Sequence, residues 1–410
     1  MGSLAWARMH GMRQVFSTPS VSRFLMSRLV GALAMQIQTV AIGIQVYSIT
    51  HSALALGLIG LSQFLPFIVC VLIAGHVADR VDRKSIVLCC LLVECMGAIA
   101  LLLWTLYGAQ RAVMVFAILV PVGVVRAFMA PANNALLPNL VKPELFSNAV
   151  AISSSTWQIA TVAGPALAGV LYATLGPAAV YSLVAVLLAF AALVYRGICA
   201  PRLVKFTSPA TWVSVVEGLR FVWRRDVVLG AISLDLFAVL FGGSTALLPA
   251  YAIDVLHVDA IGLGWLRAAP GIGAAAVAVA LAVRPITQRA GFFMFAGVIV
   301  FGIATIVFGA STNFWISLLA LVILGAADMI SVFIRHVLVQ LETPDEMRGR
   351  VGAVSWMFIG ASNEFGEFES GVTGAWWGLK PAVMIGGLAT MTVAALWIRW
   401  FPRLWKLDRL

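Results

Sequence analysis

Acidic residues are scarce in this chain. Only 17 Asp and Glu stand among 410 residues, and charged residues of both signs make up 11%. Soluble domains carry about 25% charged residues, so this composition cannot cover a water-exposed surface. Cysteine is scarce too, and the five present (Cys70, Cys89, Cys90, Cys95, Cys199) are odd in number. No CxxC or Cys/His metal spacing occurs, which leaves neither a disulfide framework nor a metal motif. The five histidines (His10, His51, His76, His257, His336) are scattered, and no nucleophile–base pair is legible. A Gly-x-x-x-x-Gly-Lys-Ser/Thr loop is missing, so no ATP hydrolysis is encoded here. No cofactor and no metal are expected. A membrane-embedded enzyme acting on lipid is a remote alternative.

What is present is hydrocarbon. The chain is 62% hydrophobic, with a mean hydropathy of +1.01. The membrane is therefore its solvent. The formal charge of +10 is no sign of nucleic acid, because Lys and Arg fall mainly on alternate loops. A bilayer crossing needs roughly 20 apolar residues. About twelve runs meet that length, near 24–48, 53–75, 85–107, 112–131, 149–174, 178–197, 227–251, 261–283, 291–310, 314–336, 351–377 and 381–401. Arg8, Arg13 and Arg23 precede the first run and Arg28 interrupts it, so an uncleaved first helix is expected.

Basic residues set the orientation. Arg80, Arg83, Lys84, Lys142, Arg196, Arg284, Arg289, Arg348, Arg350 and Arg403 share one side; only Arg111 and Lys380 mark short loops on the other. Both termini are expected in the cytoplasm. Residues 1–200 form one six-helix bundle and 226–410 a second, joined by a linker over 201–225. Pro201 and Pro209 punctuate that linker. Its end places Trp212, Val215, Leu219 and Val222 on one helical face, as in an interfacial helix on the cytoplasmic leaflet or a short helix packed on the protein. NLVKPELFSNAVA (139–151) resembles QLETPDEMRGRVGA (340–353), so the halves read as repeats. Six-helix repeats with a mid-membrane site between them are a common transporter plan.

The stretch GHVADRVDRKSIVL (75–88) sets five charges between two apolar runs and reads as a loop between spans. Its spacing resembles the loop after the second helix of the major facilitator superfamily, Gly-x-x-x-Asp-Arg-x-Gly-Arg-Arg/Lys. Gly75, Asp79, Arg80, Arg83 and Lys84 match, while Asp82 replaces the second Gly. Residues 160–169 resemble that superfamily's antiporter signature, with Gly164, Pro165 and Gly169 matching. ALGLIGLSQFLPF (55–67), SLDLFAVLFGGSTALLPAYAIDVL (233–256) and GASNEFGEFESG (360–371) point to its bacterial enterobactin-exporter-like branch. The resemblance implies an all-α membrane fold of two pseudo-symmetric six-helix bundles. It also implies alternating access and export of a small amphiphile, siderophore or drug-like, by proton antiport across the bacterial inner membrane. An uptake permease of the same fold is the alternative. A monomer is expected, with protons, lipid and a small molecule as its partners.

Ionisable groups inside a bilayer are functional candidates by default. Arg126 lies deep in the fourth span, where the superfamily has Arg-x-x-Gln-Gly; only the Arg matches, and the resemblance makes it an element of proton coupling. Asp235 lies in the seventh span and Asp328 in the tenth. Glu364, Glu367 and Glu369 lie in the eleventh. Glu364 and Glu367 share a helix face, suit a carboxyl that loads and releases a proton, and have Arg267 or Arg126 as possible partners. Glu364 is the first choice of proton site, then Glu367, Asp328 and Asp235. Glu94 reads as structural. Gln36, Gln38 and Gln45 mark the first span, Trp157 and Gln158 the fifth, and Asn363 the eleventh. The resemblance puts these around a central cavity, where a ring-containing, partly polar substrate fits; interhelical hydrogen bonding is the bland reading.

The basic-loop asymmetry predicts that segments around Arg202 and Arg348 face the cytoplasm, and those near Asp254 and Lys380 the outside. Single cysteines on a cysteine-free background test this with an impermeant thiol reagent. Labelling of position 254 only after lysis overturns the twelve-span topology.

Overall fold

A lipid interior offers no hydrogen bonds, so each spanning backbone must satisfy itself, and helices do so locally. The computed structural model describes residues 17–108, 111–199, 212–344 and 346–409. These are helical apart from short connections and one isolated bridge between Gln288 and Arg409. The first four helices are α1 (Pro19–Thr50), α2 (Ala53–Arg80), α3 (Arg83–Leu106) and α4 (Ala112–Leu140). Then come α5 (Phe146–Arg196), the short α6 (Trp212–Arg224) and α7 (Asp226–Gly242). The last five are α8 (Ala260–Val283), α9 (Ala290–Ala310), α10 (Phe314–Glu342), α11 (Arg348–Trp377) and α12 (Leu379–Trp400).

Among the described residues, ten helices are long and apolar enough to cross a bilayer. One of them, α5, holds two spans. Gly176 breaks it with φ 76° and ψ 172°, a conformation open to glycine, and Pro177 restarts the helix. α11 is too polar to stand among the ten but has the length, at 30 residues. The number of spans is then the twelve that the sequence predicts. Gly378, with φ 87°, joins α11 to α12 as Gly176 joins the fifth span to the sixth. The two glycines stand at the same offset, to one residue, as Pro143 and Pro344 of the repeat.

Two expectations need correction. The stretch from Gly75 is not a loop: α2 runs on to Arg80 and α3 begins at Arg83, leaving Val81 and Asp82 between them. Asp82 caps α3, its carboxylate accepting from Ser85 N at 3.1 Å and Ser85 Oγ at 2.8 Å. A capping carboxylate thus stands where the superfamily pattern has glycine. The fourth span does not end near residue 131 either. α4 continues through Pro131 and Pro138 to Leu140, because membrane helices tolerate prolines whose freed carbonyls find other partners. In the same turn as Pro138, Ala135 O accepts from the buried Arg83 Nη1 at 2.8 Å.

By packing, the chain divides into two units, one of residues 1–42 and 65–210, the other of 43–64 and 211–410. In the first, Ser27 Oγ donates to Ala191 O at 2.8 Å and Cys90 Sγ to Val125 O at 3.4 Å. In the second, Met294, Phe295, Ile334, Leu338 and Trp397 form a core beneath α7. α6 belongs to that unit. Its Val222 packs with Val228, Ile232, Val339, Val351 and Val354, and Glu217 pairs with Arg350 at 2.6 Å. Leu219 packs against the same cluster, so these members of the apolar stripe face protein. The opposite face exposes Val216, Arg220, Trp223 and Arg224. The side chains of Trp212 and Val215, and the linker residues Pro201, Arg202 and Pro209, lie outside the described ones, as do Arg8 and Arg13.

α8 and α10 touch backbone to backbone. A Cβ at Gly325 would overlap the Pro270 carbonyl, and one at Gly273 the Val322 carbonyl. Gly325→Val must therefore push the helices apart, with no flexible side chain to yield. We expect a loss of about 3 kcal/mol or more, read as a lower unfolding midpoint in detergent. Gly349→Ala is the control: nothing lies within 4 Å of its Cβ position, and its midpoint should hold or rise.

Candidate functional site

The strongest concentration of buried charge lies between α7 and α10. Asp235 on α7 is 5% exposed and Arg335 on α10 is 3% exposed; Arg335 Nη1 meets Asp235 Oδ2 at 3.2 Å. Asp328 lies two turns before Arg335, with Ser331 between them, so all three share one face of α10. Asp235, Asp328 and Ser331 line a cavity of about 10 Å³ together with Ala238, Val298 and Phe301. That volume suits one water molecule. Ser331 Oγ at this cavity and Arg335 Nε are buried without a hydrogen-bond partner among the described residues. Two carboxyls thus share a single guanidinium and a water-sized space in an apolar interior, with the His336 imidazole also acting on Asp235. Arg335 and Ser331 escaped the sequence reading; the available signal was one arginine in the apolar run from Phe314 to Gln340.

The α11 acids stand elsewhere in the same unit. A Cβ at Gly60 of α2 would lie 3.0 Å from Glu367 Oε2 and 3.4 Å from Glu364 Oε2. Gly57 lies as close, its Cβ position 3.0 Å from the Gly371 Cα. Bare glycine backbone therefore lets residues 57–60 run directly over both carboxyls. Phe64 meets Phe365 edge-on, with ring centroids 4.8 Å apart. Tyr47 of α1 donates its hydroxyl to Asp254 Oδ2. Arg267 Nη1 donates to Thr245 O at 3.2 Å. Asn363 is exposed, and Glu369, hydrogen-bonded to Ser370, lines a separate apolar cleft between α7 and α11.

In the first unit, Arg126 of α4 buries an Nε that has no partner. Its charge acts on Glu94 of α3, which is 2% exposed with both carboxyl oxygens unpartnered. Gly164 sits against Gln36, where a Cβ would meet the Gln36 Cβ at 2.5 Å. Pro165 and Gly169 are buried in the same helix. Gln38 and Gln45 are buried, Gln36 and Gln158 half-buried, and Trp157 exposed. Gly75, Asp79 and Arg80 occupy the last turns of α2, with side chains outside the described ones, and Lys84 opens α3 half-buried.

A family model described as "Transmembrane secretion effector" matches residues 15–409. The chain belongs to this transmembrane secretion effector family. Among curated relatives, the enterobactin exporter EntS of Citrobacter koseri is 27% identical over 375 residues, covering 91% of this chain and 86% of that protein. EntS of Escherichia coli O1:K1 is 26% identical over the same share. Solved structures share the fold. A crystal structure of a nucleoside transporter NupG mutant aligns with a TM-score of 0.74 at 12% identity, covering 93% of this chain and 100% of that one. A bacterial homologue of the human lysosomal transporter Spinster gives 0.75 at 14% identity, covering 94% and 97%. This family member therefore has the major facilitator fold and is a multi-pass membrane transporter.

The Asp235–Arg335 pair yields a direct prediction. Removing one partner of a buried pair leaves an uncompensated charge and costs about 3–5 kcal/mol. Arg335→Met should lower the unfolding midpoint sharply, and adding Asp235→Asn should recover part of it. If Arg335→Met melts like the parent, the pair carries no structural charge balance.

Proposed function

We propose that this transporter exports a small amphiphilic molecule from the cytoplasm, by alternating access and proton antiport. The observation that carries the coupling is the charge count between α7 and α10. Asp235 and Asp328 face one Arg335 in a site with room for about one water. An apolar interior does not hold the surplus negative charge unneutralised. A proton on either carboxyl removes it, and release of that proton to the other side supplies the driving force. The relatives named as enterobactin exporters support export and a siderophore-like or drug-like substrate.

On this reading the protein sits in the bacterial inner membrane with both termini cytoplasmic and works as a monomer. Residues 1–200 and 226–410 act as the two moving bundles, joined by 201–225. Gly75, Asp79, Arg80, Arg83 and Lys84 take the gating role that their motif implies, and Gly164, Pro165 and Gly169 the hinge. Gln36, Gln38, Trp157, Gln158 and Asn363 contribute polar groups to the substrate path. Glu364, Glu367 and Arg126 form the alternative coupling set; Asp235 and Asp328 take precedence because their counter-charge is visible and insufficient.

Inverted vesicles carrying an imposed proton gradient test this. Enterobactin and a panel of drug-like amphiphiles are added, and gradient dissipation is recorded. At least one compound should discharge the gradient through the parent protein. Asp328→Asn should abolish that discharge yet keep counterflow exchange of the same compound. Discharge that persists in Asp328→Asn but disappears in Glu364→Gln moves the coupling site to α11. Flux in the opposite direction replaces export with uptake.

A further inference from the structure

α6 has two faces, and packing decides which one is free. A Cβ at Gly218 would lie 2.9 Å from Arg350 O, so α6 rests against the backbone at the start of α11. That contact fixes the rotation of the helix. Leu219 and Val222 turn to the cluster with Val228 and Val351. Val216, Arg220, Trp223 and Arg224 recur at helical spacing and turn away from it. Val216 is 46% exposed and Trp223 65%. Leu219 and Val222, which the sequence pattern could have laid on the leaflet, are thus taken up by protein, and the opposite face is left open.

The free charge around that face is of one sign. Glu217 is paired with Arg350 at 2.6 Å, and Asp226 with Arg403 at 3.3 Å. Arg220, Arg224 and Arg225 make no ion pair among the described residues. Arg225 lies over the Phe221 ring, 5.7 Å from its centroid. Guanidiniums without a carboxylate therefore stand within about one turn of an exposed Trp. α7 begins at Asp226, directly after these residues, so the face stands where a span enters the bilayer. Such a mixture matches a membrane interface, where an indole sits at headgroup level and basic side chains meet phosphates. Anionic lipids of the cytoplasmic leaflet supply the complementary charge.

We propose that the open face of α6 binds anionic phospholipid, its arginines pairing with headgroup phosphates while Val216 and Trp223 enter the boundary of the acyl chains. Because Gly218 and Glu217 tie α6 to Arg350, the same contact anchors the first turn of α11. The proposal needs neither a direction of transport nor a coupling site.

The test uses the full-length protein in a neutral detergent, on a cysteine-free background, with Val216→Cys carrying an environment-sensitive fluorophore. Dioleoylphosphatidylglycerol or dioleoylphosphatidylcholine is titrated in. Phosphatidylglycerol should blue-shift the probe at concentrations where phosphatidylcholine does not, and added salt should oppose the shift. Arg220→Gln and Arg224→Gln should each raise the half-saturating concentration about fivefold, whereas Arg220→Lys should keep most of the response. Arg111→Gln, in the connection before α4, is the control and should change nothing. Equal responses to the two lipids in the parent overturn the proposal without any variant. An unchanged phosphatidylglycerol preference in a well-folded protein carrying both Arg220→Gln and Arg224→Gln overturns it as well. A blue shift given by glycerol phosphate alone makes the face a site for free phosphate, and one that grows with protein concentration at fixed lipid makes it an interface between copies of the chain; either result overturns the lipid assignment.

Discussion

The surplus of carboxylate over guanidinium between α7 and α10 is the constraint around which the C-terminal unit is arranged. Hydrocarbon solvates neither charge nor bare backbone. Helices answer the second demand residue by residue. The first is met only across helices, by the 3.2 Å contact of Arg335 with Asp235, and among the described residues Asp328 makes no ion pair of its own. A group in that position is stable in one charge state and unstable in the other. That is the property a coupling site needs, since loading and unloading a proton then shifts the balance between conformations.

Glycine makes such arrangements possible. Apolar side chains gain little by leaving lipid for one another, so membrane helices associate where small residues admit close contact. Gly273 and Gly325 bring α8 onto α10 at the level of the backbone, and Gly366 brings α11 onto α7. α7 is thereby held with Asp235 turned inward and Leu236 and Leu240 turned to the open cleft. Gly57 and Gly60 do the same for the upper part of α2 over Glu364 and Glu367. The charge-rich connection between α2 and α3 obeys ordinary aqueous rules instead: Asp82 caps α3 through Ser85, as a soluble helix would be capped.

Much of this was open to sequence reasoning, for a physical reason. Span number depends on run length and polarity, which are local, and the twelve runs emerged, although the fourth ends nine residues later than read and the seventh helix ends at Gly242. The superfamily resemblance rested on contiguous residues and agreed with the family match over residues 15–409. Errors arose where an apolar run was equated with a helix, as in the fourth span, which continues to Leu140, or where charge was equated with loop, as at Gly75 to Arg80.

The sequence alone determined that this chain lives in a bilayer, how many times it crosses, and which few ionisable residues lie within the crossings. Those properties follow from composition and spacing along the chain. Only the tertiary structure decided which ionisable groups meet. Asp235 and Arg335 are 100 positions apart, and nothing local pairs them. It also decided that Arg267 donates to Thr245 O, and that Leu236 lines a cleft with α11 while Asp235 lines a water-sized cavity. Helix rotation and the glycine contacts fix these outcomes, because a side chain's neighbours across a bundle depend on packing between helices and not on the order of residues within one.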